Sequence, residues 1–273
     1  MTYTEIENAI NEGLENDRKE YRVKFDKVMK NGITHNVFRL KNESRIEPIY
    51  YIQNDLTEGF IYGDIVKELD LAYITIPEMP SLSKEFVMKN LRKGLCPQDR
   101  REEFIRNGVY YEEWNDLYIY FYFKIFEGGT VKITKNLMKE YNIDISEVCK
   151  TAKESKNANI IDMFDFLKNN TNIEIEQDEE DPLLLIVTNK EMTNGAGEIL
   201  TDYALSKLYR SFKGAFYVLP SSVHEVIAVK AISEKIEDLK SMVRFVNNTE
   251  LKPEEKLSDN VYYCDETLEL RLA

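Results

Sequence analysis

Histidine is nearly missing from this chain. His35 and His224 are its two imidazoles, far apart and without the His-x-x-x-His spacing that sets two ligands on one helix face, so no metal site is expected from them. Cysteine is almost as scarce: Cys96, Cys149 and Cys264 are odd in number, widely separated and free of any Cys-x-x-Cys pair. That excludes a disulfide framework and a zinc cluster and fits a reducing compartment. The longest apolar run, Leu117 to Phe123, falls far short of a bilayer span. Met1-Thr2-Tyr3-Thr4-Glu5-Ile6 carries no basic region followed by an apolar core, so a cytoplasmic location is expected, with neither export nor anchoring. Glycine (11) and proline (7) are sparse, which removes the fibrous and low-complexity classes.

Positive charge is also in the minority. Lys and Arg number 36 against 49 Asp and Glu, for a formal net charge of −13. The summed field repels phosphate backbones and anionic lipid, so direct nucleic-acid binding and membrane association are not expected. An acidic surface either serves solubility or competes, as a nucleic-acid mimic, for a partner's basic groove. What the chain does have is ordinary apolar content and generous Tyr (17) and Phe (13), the profile of an ordered globular protein. Its 273 residues allow two modest domains. We expect an N-terminal α+β block with helical additions over 1–112 and a C-terminal α+β domain over 113–273.

Thr4-Glu5-Ile6-Glu7 has the form of a capping box, and Ile6, Ala9, Ile10 and Leu14 mark one helical face behind it. Two alternating segments, Tyr21-Val23-Phe25 and Val37-Phe38-Leu40, predict a hairpin turned at Lys30-Asn31-Gly32, with a third strand over 48–52. Ile65, Val66, Leu69 and Ala72 predict a second helix over 62–73. Past Pro77-Glu78-Met79-Pro80, Ser81 or Ser83 caps a third helix carrying Phe86, Val87 and Leu91, and Pro97 opens a fourth over 98–106. Residues 117–126 form the strongest strand signal. One face is apolar (Leu117, Ile119, Phe121, Phe123, Ile125) and the other carries Tyr118, Tyr120 and Tyr122, so the strand is expected to be central and covered on both sides. The tyrosine face reads as a core layer rather than a base-stacking platform, because no Lys or Arg is interleaved.

Gly128-Gly129 turns the chain into a strand over 130–133 and a short helix over 135–141. Asp144-Ile145-Ser146-Glu147 caps a helix that buries Val148, Cys149 and Ala152, which makes Cys149 a core residue rather than a nucleophile. A further helix is expected over 160–167. The acidic stretch 176–181 lacks the ligand spacing of a calcium loop and reads as a solvated connection. After Leu183 the pattern is strand, loop, helix (198–212), strands over 215–219 and 224–229, helix (233–247) and two short terminal strands. The fold class is therefore α+β: an N-terminal helix plus a three-strand block, then a mixed β-sheet with packed helices.

Three polar loops in the C-terminal half hold the candidate chemistry. Asn194-Gly195-Ala196-Gly197 lies between a strand and a helix, where amides can face an anion, although it lacks both the third glycine of a dinucleotide loop and the Gly-Lys-Ser/Thr of a phosphate loop. A plain glycine-rich helix entry is the simpler reading. Ser221, Ser222, His224 and Glu225 supply a hydroxyl, an imidazole and a carboxylate. In an extended segment Ser222 and His224 share one side and Glu225 takes the other, so they cannot form a triad alone. An enzyme reading makes His224 a general base with Asp202 or Asp259 and keeps Ser222, His224 and Asp259 as catalytic candidates. Its ligand-binding set is Asn194, Gly195, Gly197, Ser221, His224, Glu225 and Ser258. The competing reading makes Pro220-Ser221-Ser222 a turn and His224 a hydrogen-bonded structural residue.

Leu219-Pro220-Ser221-Ser222-Val223-His224-Glu225-Val226-Ile227, Val187-Thr188-Asn189-Lys190 followed by Asn194-Gly195-Ala196, and Leu257-Ser258-Asp259-Asn260-Val261-Tyr262-Tyr263 resemble a bacterial family known only as domain of unknown function five-six-eight-eight. Weaker matches lie at Lys30-Asn31-Gly32 and Glu47-Pro48-Ile49-Tyr50. The family pattern commonly has Ala where this chain has Gly197. The resemblance implies an intracellular bacterial protein, possible on a phage or other mobile element, and no reaction. Together with the acidity and the shortage of histidine, this leads us to expect a non-catalytic protein-binding or regulatory factor, such as an inhibitor of a host protein, with no metal and no cofactor. The alternative is an enzyme or small-ligand binder whose pocket gathers the three loops. The sequence leaves the oligomeric state open.

Overall fold

The computed structural model describes residues 1–30, 33–41, 47–52, 61–74, 80–126, 129–170, 183–220, 222–231 and 236–273. The expected turn at Asn31-Gly32, Pro77 to Met79, Gly128, the acidic stretch 176–181 and Ser221 lie outside them. The fold is α+β, in two compact units, Met1–Ser81 and Leu82–Ala273. Residues 82–112, expected in the first domain, thus belong with the second unit, because a strand inside them pairs with the tyrosine-rich strand.

In the first unit α1 (Tyr3–Asn16) and α2 (Tyr62–Ile74) accompany an antiparallel sheet of β1 (Arg22–Lys30), β2 (Ile33–Lys41) and β3 (Ile49–Tyr51), in that order. The capping box forms two residues earlier than expected. Thr2 Oγ1 accepts the Glu5 N–H at 3.2 Å and Glu5 Oε2 accepts the Thr2 N–H at 2.7 Å. Glu7 is thereby free to accept the Phe25 N–H at 2.9 Å, while the Asn11 side chain pairs with both the N–H and the C=O of Val23. Polar side chains of α1 thus satisfy the outer edge of β1, which would otherwise be an unpaired strand edge. Ile6, Ile10 and Leu14 pack with Val23, Phe38, Leu40 and Leu69 in the core of this unit. His35 lies edge-on to Tyr51.

The second unit contains two sheets. The first is built on β6 (Leu117–Phe126), flanked by β4 (Leu91–Pro97) on one side and by β5 (Tyr111–Trp114) and β7 (Gly129–Lys132) on the other, all antiparallel. The second has the order β13 (Leu270–Leu272), β12 (Tyr262–Cys264), β10 (Phe216–Leu219), β11 (Val226–Lys230), β9 (Leu184–Thr188), β8 (Asn159–Asp162), also antiparallel throughout, so among the described residues the expected mixed sheet is instead two antiparallel ones. Helix α8 (Asp202–Phe212) buries Ala204, Leu205, Leu208 and Phe212 in the main core with Val187, Val218 and Ala228 of the larger sheet and Leu95 and Leu117 of the smaller one. Helix α9 (Ile236–Thr249) covers Tyr217, Leu219 and Val229 through Val243.

Strand β6 is central and covered on both faces. Phe121 and Phe123 pack under α6 (Ile145–Lys153) with Val148 and Ala152, whereas Tyr118, Tyr120 and Tyr122 pack with Cys96, Phe104 and Val109. The tyrosine face is a core layer.

Three expectations need correction. Residues 160–167 are not one helix: Asn159–Asp162 is β8, zipped to β9 (Ile160 opposite Val187, Ile161 opposite Ile186), and only Met163–Asn170 is helical, as α7. Tertiary pairing of the β-branched pair overrides the helical spacing, and Asp162 Oδ1 caps α7 by accepting the Phe164 N–H at 2.9 Å. Leu91 is not on α3 (Lys84–Lys89, capped by Ser83) but opens β4. The expected helix 198–212 divides at Thr201 into a 3₁₀ segment, Gly195–Leu200, and α8, since Thr201 Oγ1 accepts the Ala204 N–H and donates to Glu198 O.

Candidate functional site

Main-chain bonds bring the three polar loops of the C-terminal half together. Asn194, in the left-handed region at φ 52°, donates its N–H to His224 Nδ1 at 3.1 Å. Gly195 N–H donates to His224 O at 2.9 Å and Ala196 N–H to Val223 O at 3.2 Å. Thr188 Oγ1 adds a bond to His224 O at 2.8 Å. These three amides hold the 222–225 segment and are not directed at an external anion. A methyl group on Gly195 would stand 2.4 Å from Thr188 Oγ1, and one on Gly197 would stand 2.2 Å from Lys93 O, so both glycines are set by close approach of backbone. The other side of the segment is braced by Val223 N–H to Glu255 O at 2.9 Å and Ser258 N–H to Pro220 O at 3.1 Å.

Ser222 makes an isolated bridge to Lys256, residues 223–224 bend, and β11 begins only at Val226. The expected alternation therefore does not hold. Ser222, 2% exposed, accepts the His224 N–H at 3.0 Å, and its hydroxyl also bonds the Glu225 carboxyl, while no such bond reaches the His224 ring among the described residues. Burial raises the pKa of Glu225 above the ordinary range, tempered by His224 and by that bond. The His224 side chain is 31% exposed, with Nε2 4.0 Å from Glu255 Oε1. Tyr262 and Tyr263 do not cover it, since their rings pack on Trp114 and Tyr217.

Ser258, Asp259 and Asn260 serve a different centre. The Asp116 carboxylate, at the tip of the β5–β6 hairpin, accepts bonds from Ser258 Oγ (2.6 Å), Asn260 Nδ2 (2.9 Å) and the Tyr262 hydroxyl. Burial pushes the pKa of Asp116 upward, but these three donors outweigh it and the group is held below its ordinary value. Asp259 Oδ1 accepts from Asn247 Nδ2 at 2.6 Å. Asp202 pairs loosely with Lys153 at 3.7 Å. Among the described residues the carboxylate beside His224 is thus that of Glu255, not that of Asp116, Asp202 or Asp259.

A concave site lies on the opposite side of the 189–194 loop. Two cavities, of about 460 and about 120 Å³, both lined by Arg92, Asn189 and Glu191, adjoin along these residues as a larger and a smaller lobe. The larger lobe is lined by Arg92 of β4, Lys156 and Asn157 of the α6–β8 connection, Asn159 of β8, and Asn189 and Lys190 after β9. The smaller adds Tyr122, Lys124, Thr130, Thr193 and Asn194. Of the described residues of the three loops above, only Asn194 lines either lobe. The wall is rigid: Asn189, 3% exposed, donates to Thr193 O at 2.8 Å and accepts the Thr193 N–H, while the Tyr122 hydroxyl donates to Asn194 O at 3.2 Å. Glu191 is the one carboxylate among the described lining residues, and Lys124 neutralises it at 2.6 Å. Arg92, Lys156 and Lys190 are thus concentrated around a concavity in an acidic chain.

Two buried ionisable groups, Lys93 and Glu198, lie within electrostatic reach of the lining residues Arg92 and Glu191 or next to them in the chain. Glu198 is 1% exposed, and its Oε1 has no hydrogen-bond partner among the described residues. Burial raises its pKa to about 7, against the lowering influence of Arg92 and Lys93. Lys93 is 8% exposed, and burial lowers its pKa. Its Nζ donates to Leu200 O at 3.1 Å, so the lysine braces the 3₁₀ segment rather than pairing with Glu198. Among the described residues no cluster of three or more His, Cys, Asp or Glu side chains is arranged to hold a metal ion. No helix among them is long and apolar enough to cross a membrane.

A profile of the family of unknown function DUF5688 matches residues 3–266. The chain belongs to this family. No curated protein and no solved structure matches it. The cleft of this DUF5688 chain went unread in the sequence because Arg92, Lys156 and Lys190 sit in unremarkable polar surroundings. Glu198 did leave a signal: it is a lone charge in the apolar stretch Ala196 to Leu200.

Proposed function

We propose that the chain is a small-molecule-binding protein whose ligand occupies the two-lobed cleft. The observation that carries this reading is the shared wall of Arg92, Asn189 and Glu191, which makes one site of two cavities and is fixed in place by its own hydrogen bonds. Ligand sites are usually preformed concavities with a few convergent polar groups, and this one is more polar than most, which selects a polar ligand. Its ligand is soluble and polar, and three free cysteines accord with the cytoplasmic setting we assign. Screening polar metabolites by thermal shift against the wild type and Arg92→Ala tests it. A ligand that stabilises the former and not the latter supports the cleft. Ligands that stabilise both equally place binding elsewhere.

A second reading, a protein-binding regulatory factor, is favoured by Met242 (55% exposed) and Phe245 (65% exposed), one turn apart on the outer face of α9. Its test is stoichiometric capture of a partner that Met242→Asp with Phe245→Asp abolishes. Capture unaffected by that double variant removes the support.

A further inference from the structure

We infer that the cleft takes a dianionic head group, that of a phosphate monoester, and that Glu198 behind it binds a proton as the anion arrives. The inference rests on the cleft being the ligand site.

The head group follows from the larger lobe. Arg92, Lys156 and Lys190 line it together with the amides of Asn157 and Asn159, and Glu191, the only carboxylate among the described lining residues, is already paired with Lys124. A guanidinium, two ammonium groups and amide donors match the several acceptor oxygens and double charge of a phosphoryl group. Arg92 keeps one donor, Nη1, on Leu91 O at 2.9 Å, which fixes the guanidinium on the wall. The smaller lobe, bounded by Tyr122, Thr130 and Thr193, leaves room for part of an uncharged body. Because the site is a concavity, the phosphate belongs to a small metabolite rather than to a nucleic-acid backbone, which the net charge of −13 repels.

The proton follows from how Glu198 is caged. Gly197 is wedged on the backbone of Lys93 and Gly94, which fixes the main chain beside Glu198, and that residue is 1% exposed. Its nearest charged influences are Arg92 and Lys93 on β4 and Glu191 after β9, and it in turn acts on Tyr122 of β6. Lys93 is also influenced by Glu112, Cys149 and Asp202. Both cations donate to main-chain carbonyls, and neither forms an ion pair with Glu198 among the described residues. A carboxylate there faces an incoming anion across the wall as a like charge, whereas the acid does not. Binding and protonation of Glu198 therefore favour each other, as linked equilibria must.

Sulfate, a dianion across the neutral range, is the probe for the proton, with inorganic phosphate as the probe for the head group. Calorimetric titrations at about pH 5.5 and about pH 8.5 compare wild type, Arg92→Ala, Lys190→Ala and Glu198→Gln, each first shown to be folded. We expect Arg92→Ala to weaken both anions roughly tenfold or more and Lys190→Ala a few-fold. Wild type binds sulfate roughly three- to tenfold more tightly at the acid pH and takes up a proton in doing so, read from buffers of different ionisation enthalpy. Glu198→Gln binds at alkaline pH as tightly as at acid pH, with no uptake at that residue. His224, bonded to Asn194, is present in every protein and cancels in the comparison. Arg92-dependent binding with unchanged pH dependence in Glu198→Gln overturns the proton and leaves the cleft standing. Binding indifferent to Arg92 and Lys190 removes both the head-group assignment and the proton from this site. Absence of saturable binding of either anion by wild type overturns the dianion, while an uncharged ligand from the thermal-shift screen would still uphold the cleft.

Discussion

The backbone N–H of Asn194 points at His224 Nδ1 from 3.1 Å, and that bond fixes which nitrogen of the ring carries the proton. With Nδ1 accepting, neutral His224 bears its hydrogen on Nε2, toward Glu255 Oε1 at 4.0 Å. The imidazole is a strut between two loops. His224→Ala should lower stability by about 1–2 kcal/mol, because the Asn194 amide loses its acceptor. His224→Asn, whose Oδ1 falls near the position of Nδ1, should recover part of the loss. Urea unfolding of the two variants measures it, and equal losses would show that the bond contributes nothing.

The second of the two close-packed glycines invites a steric test. A Cβ on Gly197 would lie 2.2 Å from the carbonyl oxygen of Lys93, and backbone cannot yield as a side chain does. Gly197→Ala should cost about 2–4 kcal/mol. In contrast, Gly63, in the first turn of α2, meets nothing within 4 Å of its Cβ direction among the described residues, so Gly63→Ala should raise stability by up to about 0.5 kcal/mol. Thermal denaturation separates the two signs. A neutral Gly197→Ala would mean that β4 and the 3₁₀ segment are free to move apart.

How much of this was legible depends on whether the signal was local. The Asp144 cap, the tyrosine face of β6 and the stripes of α1 and α8 were readable because each is written within one turn or one strand. Strand β4 was not: Arg92, Lys93 and Gly94 interrupt its apolar pattern, and only its partner β6 makes it a strand. Strand β8 was mistaken for helix for the same reason. The sequence singled out the Asn194, Ser222 and Ser258 loops, and the structure does join the first two to each other and the second to the third. It could not reveal that their amides and hydroxyls are consumed in joining. Nor could spacing disclose the cleft, whose walls come from β4, β8 and the residues after β9, nearly a hundred positions apart.

Glu198 should leave its mark on the pH dependence of stability. Its folded pKa, about 7, lies above the ordinary 4.5, so between those values the folded state holds a proton that the unfolded state has released. Stability from this group therefore falls as pH rises through that window, and the penalty is complete above about pH 7, at an order of 2–3 kcal/mol. Glu198→Gln does not titrate. Its stability relative to wild type should rise by that amount from about pH 5 to about pH 8, as read by urea unfolding at both. A constant difference would show that Glu198 ionises alike in both states.

Asp116 works in the opposite sense, and its three donors make it separable. Burial would raise its pKa, yet Ser258, Tyr262 and Asn260 hold it low, so it contributes stability above the ordinary carboxylate range and loses it as pH falls through the folded value. Asp116→Asn should flatten the acid limb of the stability profile. Asp116→Ala leaves the buried hydroxyls of Ser258 and Tyr262 unpaired and should cost about 2–4 kcal/mol, while Tyr262→Phe alone should cost about 1–2. Since the two changes remove the same bond, the double variant should be less destabilised than their sum by about 1 kcal/mol or more. Strict additivity would mean that the hairpin tip and β12 are held together by packing of Trp114 on Tyr262, and that the carboxylate bonds are incidental to it.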